Sequence, residues 1–205
     1  MVRTQLLERL GVFVAPGFLD RERCEALAAE MLAAGGDPAT VTVALKRDEL
    51  AERYRRTTIV DVSEATRAAM QERIESMRGE LAERFAVSLG PCEKPQFLHY
   101  RTGDFIARHS DGSHDGDAPE WLRRRAVAVL VYLNDQSESG ETGTFGGGAL
   151  TFYELLSGDP RAAAVGLPLS PSAGLMVAFA ADVVHEVTEI TAGNRFTAVT
   201  WFPEA

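Results

Sequence analysis

Cysteine is nearly absent from the 205 residues: only Cys24 and Cys92 occur, far apart and without the spacing of a thiolate metal site. Neither a disulfide framework nor a zinc-binding knuckle is therefore expected, and a reducing cytoplasmic compartment suits such a chain. Long hydrophobic runs are missing too. The opening MVRTQLLERLGVFVAPGFLD carries charges before its apolar patch and is broken by Pro16 and Gly17, so it reads as neither signal peptide nor membrane span, and no membrane contact is expected. An excess of basic residues is also lacking. Lys and Arg number 21 against 30 Asp and Glu, a formal charge of −9 that repels a phosphate backbone and argues against a nucleic-acid partner. The short basic clusters, Arg53 with Arg55 and Arg56 and then Arg123 to Arg125, read as solvated faces, although one of them is available to guide an acidic substrate. What is present is an ordinary globular balance, 45% hydrophobic and 25% charged, in a length that suits one compact domain over residues 1–205.

Along the chain, Gly11 to Leu19 alternates like a strand and ends at Asp20, a suitable N-cap for a helix through Met31 that Gly35, Gly36 and Pro38 stop. The middle is mixed: TVTVAL reads as strand, KRDELAERYRR as a polar helix or lid, and TTIVDV as strand. Ser63 opens a long helical stretch in which Met70, Ile74, Met77, Leu81 and Phe85 share one face, a core stripe that needs a sheet to cover, with Gly90 and Pro91 at its end. After Pro95 the pattern becomes strands separated by Gly, Asn, Asp and Ser. They run from Gln96 to Arg101, Asp104 to Ser110, Arg124 to Leu133, Ala149 to Tyr153, Ala162 to Leu169, Leu175 to Phe179, Val183 to Ile190 and Arg195 to Phe202, a spacing that predicts a sandwich or barrel. The loop NDQSESGETGTFGGG reads as a flexible turn, since it lacks the lysine and following helix of a phosphate-binding loop.

The chain has four histidines, and His109 lies two residues before Asp111 at the end of a predicted strand, where both side chains would face one way. His185, opening HEVTEI on another strand, would supply a third ligand, and two imidazoles with one carboxylate suit an open-sided non-haem iron(II) site. A hydrogen-bonded core histidine is the bland alternative for each. Ten residues after His185 comes Arg195 in the apolar strand RFTAVTWF, where an unpaired guanidinium is expensive and its planar fork suits a carboxylate. Thr197 would face the same way, and an ion pair with an acidic neighbour is the competing account of Arg195. Two other metal readings are poorer: His114, in a loop rich in Gly and Pro, and Asp111 with Asp115 and Asp117, whose spacing fails the calcium-loop pattern.

The runs YRTGDFIARHSD, VYLN, GGGALTFYE and GLMVAFAADVVHEVTEITAGNRFTAVTWF resemble the prolyl 4-hydroxylase-like branch of the iron(II)/2-oxoglutarate dioxygenases, which includes the oxygen-sensing prolyl hydroxylases. VFVAPGFLDRERCEAL resembles that family's N-terminal strand and helix, while residues 35–62 match loosely. The resemblance implies a mainly β fold with flanking helices: a double-stranded β-helix (jelly-roll, cupin-like) barrel over 96–205 that holds the metal site, with the N-terminal strands and helices of 1–95 supporting one sheet. It assigns iron(II) to His109, Asp111 and His185 and the distal carboxylate of 2-oxoglutarate to Arg195. Tyr132 and Tyr100 would line the co-substrate pocket, Thr197 would add a polar contact and Trp201 would be an aromatic lining. Some collagen-type members carry lysine where this chain has Arg195, and related halogenases lack the carboxylate that Asp111 supplies, so hydroxylation is implied. The implied reaction consumes dioxygen, with ascorbate as a stimulating reductant, releases succinate and carbon dioxide, and hydroxylates an unactivated C–H bond of a proline-type peptidyl residue or an amino-acid-like small molecule. Val127, Val129, Val131, Leu175, Val177 and Phe179 are expected as barrel walls, and the middle segment and the glycine loop after Asn134 as a lid. Two alternatives are a catalytically silent barrel that binds a ligand, and a cupin-like metal enzyme without 2-oxoglutarate, from which Arg195 is the discriminating residue.

Overall fold

The computed structural model describes residues 2–38, 54–138, 141–156 and 164–205. Helix α1 (Val2–Arg9), which the charge pattern did not suggest, leads into β1 (Phe13–Ala15). The predicted strand is shortened to three residues because the chain turns at Gly17, whose φ of +69° a side chain would resist. Asp20 then caps α2 (Arg21–Ala33) as expected, its carboxylate accepting from the Arg23 amide at 2.7 Å. The glycines and proline that stop α2 form a short edge strand, β2 (Gly36–Pro38), where the missing proline amide costs no ladder bond on the free side. TVTVAL and most of the polar segment after it lie outside the described residues. That segment's end is β3 (Arg55–Arg56), followed by β4 (Thr58–Val60).

The long helical stretch is two helices. Ser63 caps α3 (Glu64–Glu75), whose end coincides with the Ser76 hydroxyl donating to the Arg73 carbonyl at 2.7 Å, and α4 (Arg78–Phe85) stops at Ala86 in the left-handed region, φ 52°, before Gly90 is reached. The apolar stripe keeps its place nonetheless: Met70, Ile74 and Leu81 are buried, and Met77 and Phe85 pack against the same cluster.

The remaining elements are β5 (Gln96–Arg101), β6 (Phe105–His109), α5 (Glu120–Arg124), β7 (Arg125–Tyr132), β8 (Phe145–Gly147), β9 (Leu150–Phe152), β10 (Leu167–Pro168), β11 (Met176–Ala180), β12 (His185–Val187) and β13 (Ile190–Pro203). An eight-stranded sheet runs β1-β11-β7-β13-β5-β4-β2, with β8 attached to β13, and a five-stranded sheet runs β10-β9-β12-β6-β3. Every strand pair is antiparallel. The two sheets face each other as the walls of a double-stranded β-helix. Strand β13 is longer than expected because it serves twice: Ile190 to Gly193 pair with β8, then Asn194 onward pairs with β5 and β7.

The glycine loop is therefore not simply a flexible turn. Its C-terminal end is β8, and the Ser137 amide donates to the Phe145 carbonyl at 2.8 Å while the Asn134 amide group donates to the Gly143 and Asn194 carbonyls. Small residues are required there because a Cβ at Gly147 would strike the Glu189 carbonyl.

Two apolar cores result. One lies between the larger sheet and α2, α3 and α4, and includes Cys24, Met31, Ile74, Phe97, Val127, Val129, Val131 and Phe202. The other fills the space between the sheets, and includes Leu98, Tyr100, Ala128, Leu130, Tyr132, Leu150, Val177 and Phe179. Of the expected barrel walls, Leu175, Val177 and Phe179 face the interior, whereas Val127, Val129 and Val131 belong with the helices. Strand β7 is buried on both faces from Val127 onward, so its hydrophobicity carries no alternation from which to read the parity. No helix among the described residues is long and apolar enough to cross a membrane.

The helical layer props the larger sheet, which carries Arg195. Ile74→Ala is expected to cost about 2–5 kcal/mol and Ile74→Val about 0.5–1.5 kcal/mol in denaturant unfolding. Equal effects from the two truncations would contradict the packing described.

Candidate metal and co-substrate site

His109 ends β6 and His185 begins β12, and the two are directly opposite in the antiparallel register. Their ring centroids are 4.3 Å apart. Asp111 is not on the strand, so strand alternation is not what aims it; it sits in the turn that follows. There the Ser110 hydroxyl donates to the Gly112 carbonyl at 2.9 Å and the Gly112 amide donates to the Ala181 carbonyl at 2.7 Å. The three side chains converge, each offering one ligand atom within 4.8 Å of the others, and they form the one such group of three among the described residues. Nε2 of His109 lies 3.4 Å from Oδ1 of Asp111, and Nε2 of His185 lies 3.6 Å from Oδ2.

The imidazoles are oriented for coordination. Nδ1 of His109 is 2.9 Å from the Ala107 carbonyl and Nδ1 of His185 is 2.9 Å from the Val183 carbonyl. A carbonyl only accepts, so each Nδ1 carries the proton and each Nε2 keeps its lone pair, the tautomer that metal-bound histidines take. Burial pushes the His185 pKa down, favouring the neutral ring. For Asp111, burial alone would raise the pKa, but the facing imidazoles outweigh it when they are protonated, His185 by its charge and then His109 by hydrogen bond and charge. Its carboxyl is thus held well below the usual carboxylate range.

Arg195 stands on β13 opposite Tyr100 of β5, with 0% exposure, and no nitrogen of its guanidinium has a hydrogen-bond partner among the described residues. The ion-pair alternative fails among the described residues, since no acidic side chain bridges it. Aromatic rings surround it instead: its guanidinium carbon is 4.7 Å from the Tyr100 centroid, 5.0 Å from Tyr132 and 5.9 Å from Phe145. Gly148, at φ +60°, leaves room for this side chain, because a Cβ there would meet Arg195 Cδ at 3.2 Å and clash with Ile190 Cδ1. The Thr197 hydroxyl, the Tyr132 hydroxyl and the Trp201 indole nitrogen are likewise buried without partners. Burial pushes the Tyr132 phenol up, so its hydroxyl remains a donor. A fully buried cation and two unsatisfied hydroxyls beside it amount to an incomplete hydrogen-bond set that a carboxylate would complete.

The side chains behind Asp111 and Trp201 carry no motif in the sequence. Arg125, the last of a basic cluster read as a solvated face, has a side chain only 9% exposed. Glu93 grips it with two bonds of 2.6 and 2.7 Å, its guanidinium carbon lies 3.6 Å from the Trp201 ring and 4.7 Å from Trp121, and its Nη1 donates to the Asp111 carbonyl at 3.4 Å. The Glu93 amide donates in turn to the Trp201 carbonyl at 2.8 Å. One signal was available: an arginine opening a strand that is otherwise apolar needs a partner. His114 is exposed and pairs with Asp182 at 3.2 Å, away from the triad, and the Asp117 amide donates to Asp115, an ordinary turn contact.

The family model described as the 2OG-Fe(II) oxygenase superfamily matches residues 95–203, more than half of the chain. The protein belongs to that superfamily. It is an oxygenase that depends on iron(II) and 2-oxoglutarate and consumes dioxygen, and the donor set and the orphaned cation described above fit both groups. A Pseudomonas putida prolyl-4-hydroxylase is similar over the whole of both chains, with 25% identity and a TM-score of 0.70. Two further structures share the fold. A Trichoplax adhaerens prolyl hydroxylase, in complex with a peptide fragment of the hypoxia inducible factor oxygen degradation domain, is 20% identical over 100% of this chain and 88% of that one, with a TM-score of 0.69. The viral collagen prolyl hydroxylase of Paramecium Bursaria Chlorella virus-1 is 17% identical over 95% and 96%, with a TM-score of 0.60. Among curated proteins none matches the oxygenase.

The Glu93–Arg125 clamp holds the backbone of Asp111 and the ring of Trp201, so Arg125→Lys, which keeps the charge and loses the fork, is expected to weaken divalent-cation binding roughly tenfold. Titration with manganese(II), followed by electron paramagnetic resonance, measures it; unchanged affinity would remove the clamp from the account.

Proposed function

We propose that His109, Asp111 and His185 hold the iron and that Arg195 receives the distal carboxylate of 2-oxoglutarate, with Thr197 and Tyr132 donating to the same group. The observation that carries this reading is the buried guanidinium without a partner: a chain that pays for such a cation needs a carboxylate, and a dicarboxylate supplies one while its other end reaches the metal. Tyr100 supports Arg195 through its ring face, and Trp201 lines the cavity beside Asp111. When bound, iron and 2-oxoglutarate supply the oxidising chemistry, in which dioxygen is divided between the co-substrate, leaving as succinate and carbon dioxide, and the C–H bond that becomes hydroxylated.

The chain's own share is positioning and exclusion of water. The two backbone carbonyls that fix Nδ1 keep both imidazoles aimed without rotation, and Asp111 enters as a carboxylate with no proton to lose. Leu98, Leu150, Phe179 and Val187 form apolar walls around the reacting position, which strengthens the charge interactions inside. Arg195 separates this reading from a cupin-like metal enzyme without 2-oxoglutarate, and the ligand-ready triad argues against a silent barrel. We propose further that the substrate is a proline-type peptidyl residue or an amino-acid-like small molecule; the full-length similarity to the Pseudomonas putida prolyl-4-hydroxylase supports it. Ascorbate is proposed as a stimulating reductant. A cytoplasmic location is supported by Cys24 and Cys92, both free and buried.

Under anaerobic conditions, iron(II) with 2-oxoglutarate is expected to give the weak visible charge-transfer band of a chelated complex. His185→Ala should abolish it, and Arg195→Ala should raise the 2-oxoglutarate concentration it requires about ten- to hundredfold, the loss of a charge-assisted pair worth about 1.5–3 kcal/mol. Absence of the band in the unmodified protein would overturn the assignment; an unchanged requirement in Arg195→Ala would overturn the carboxylate role.

A further inference from the structure

Besides the buried Arg195, one arginine stands in the wall of the metal cavity itself. Arg55, on the short strand β3, is one of its walls together with Ile106, His109, Asp111, His185 and Trp201. Its Nε is buried and has no hydrogen-bond partner, and it takes part in no ion pair among the described residues. Among the described residues the one acid that shares this cavity wall, Asp111, is engaged with the two histidines. Its neighbour Arg56 differs, being exposed and stacked 5.1 Å over the Phe105 ring.

Arg55 and Arg195 stand on different sheets. Arg55 is paired with Ile106 of β6 in the smaller sheet, on the strand that carries His109, whereas Arg195 is paired with Tyr100 in the larger one. 2-Oxoglutarate has two carboxylates, and the proposed reading uses both, one at the metal and one at Arg195. Nothing of the co-substrate is left for Arg55. In a chain of formal charge −9, a cation without an ion pair among the described residues in the wall of the reaction cavity is a local attraction for an anion.

The geometry points to Arg55 as a carboxylate subsite for the molecule being hydroxylated. The substrate class is then a small molecule with a free carboxylate, such as an amino acid, rather than a residue inside a peptide whose carboxyl is tied up as an amide. This inference rests on the iron and 2-oxoglutarate assignment above and narrows its substrate.

Matched pairs test it: L-proline against L-prolinamide, and N-acetyl-L-proline against its amide. Each is added to the anaerobic iron(II)–2-oxoglutarate complex to follow perturbation of the charge-transfer band, then in air to follow succinate release. A carboxylate is expected to act at a concentration roughly tenfold or more below that of its amide, as a charge-assisted pair requires. Arg55→Met and Arg55→Gln should erase that preference, and Arg56→Met, the same loss of charge one residue on, should leave it intact. Amides as effective as acids, a preference that survives both Arg55 variants, or no response to either carboxylate would each overturn the proposal. Failure of the band before any pair is added would instead sink the reading beneath it.

Discussion

An arginine side chain with no solvent and, among the described residues, no acid and no hydrogen-bond partner sits inside this barrel, and much of the architecture around it makes sense as the means of keeping it there. Ionised groups leave water at a cost of several kcal/mol, so a buried cation persists only where packing fixes it and a ligand can answer it. The packing is specific. Faces of Tyr100 and Tyr132 flank the guanidinium, Phe145 from β8 adds a third ring, and Gly148 makes room for the side chain at a backbone angle that favours glycine. Strand β13 carries the arginine just after it leaves β8 and joins the larger sheet, so the double service of that strand and the position of the cation are one structural fact.

The metal triad is positioned by different means on the opposite sheet. Cross-strand register sets His109 against His185, backbone carbonyls orient both rings, and a turn fastened to Ala181 brings Asp111 in from outside the strand. The two sheets are thus chemically distinct: the smaller one holds the ligand set, and the larger one presents the arginine together with Trp201. Arg125 and Glu93 couple them, since their bonds reach both the Asp111 carbonyl and the Trp201 strand. A substrate entering between the sheets would meet Arg55 on the same sheet as the histidines.

How much of this was legible in the sequence depends on whether local pattern or tertiary context decided each feature. Asp20 was readable as a helix cap because a short polar side chain before an apolar run has one common use, and Ser63, read as the start of a helix, caps one too. Gln96–Arg101 was readable to the residue because turn formers bound it. His109, Asp111, His185 and Arg195 stood out because few histidines compete and because a guanidinium in an apolar strand is costly. The facing of β7 was not readable, since a strand buried on both sides shows no alternation, and valines expected inside the barrel pack against helices instead. Strand β8 was hidden by its glycines, which look like slack yet are demanded by close backbone approach. The break between α3 and α4 was also hidden, because Ser76 acts there through a bond to its own helix. Arg125 and Arg55 were hidden by neighbours in basic clusters; only packing distinguishes a partnered or cavity-lining member of such a run from a solvated one.

A crystal structure of the protein soaked with manganese(II) and 2-oxoglutarate is the most direct test of the central claim. The account predicts one metal ion bonded to His109, Asp111 and His185, with the far carboxylate of the dicarboxylate paired to the Arg195 fork. A co-substrate bound at the metal with Arg195 still without a partner, or a metal seated away from the three side chains, would contradict it.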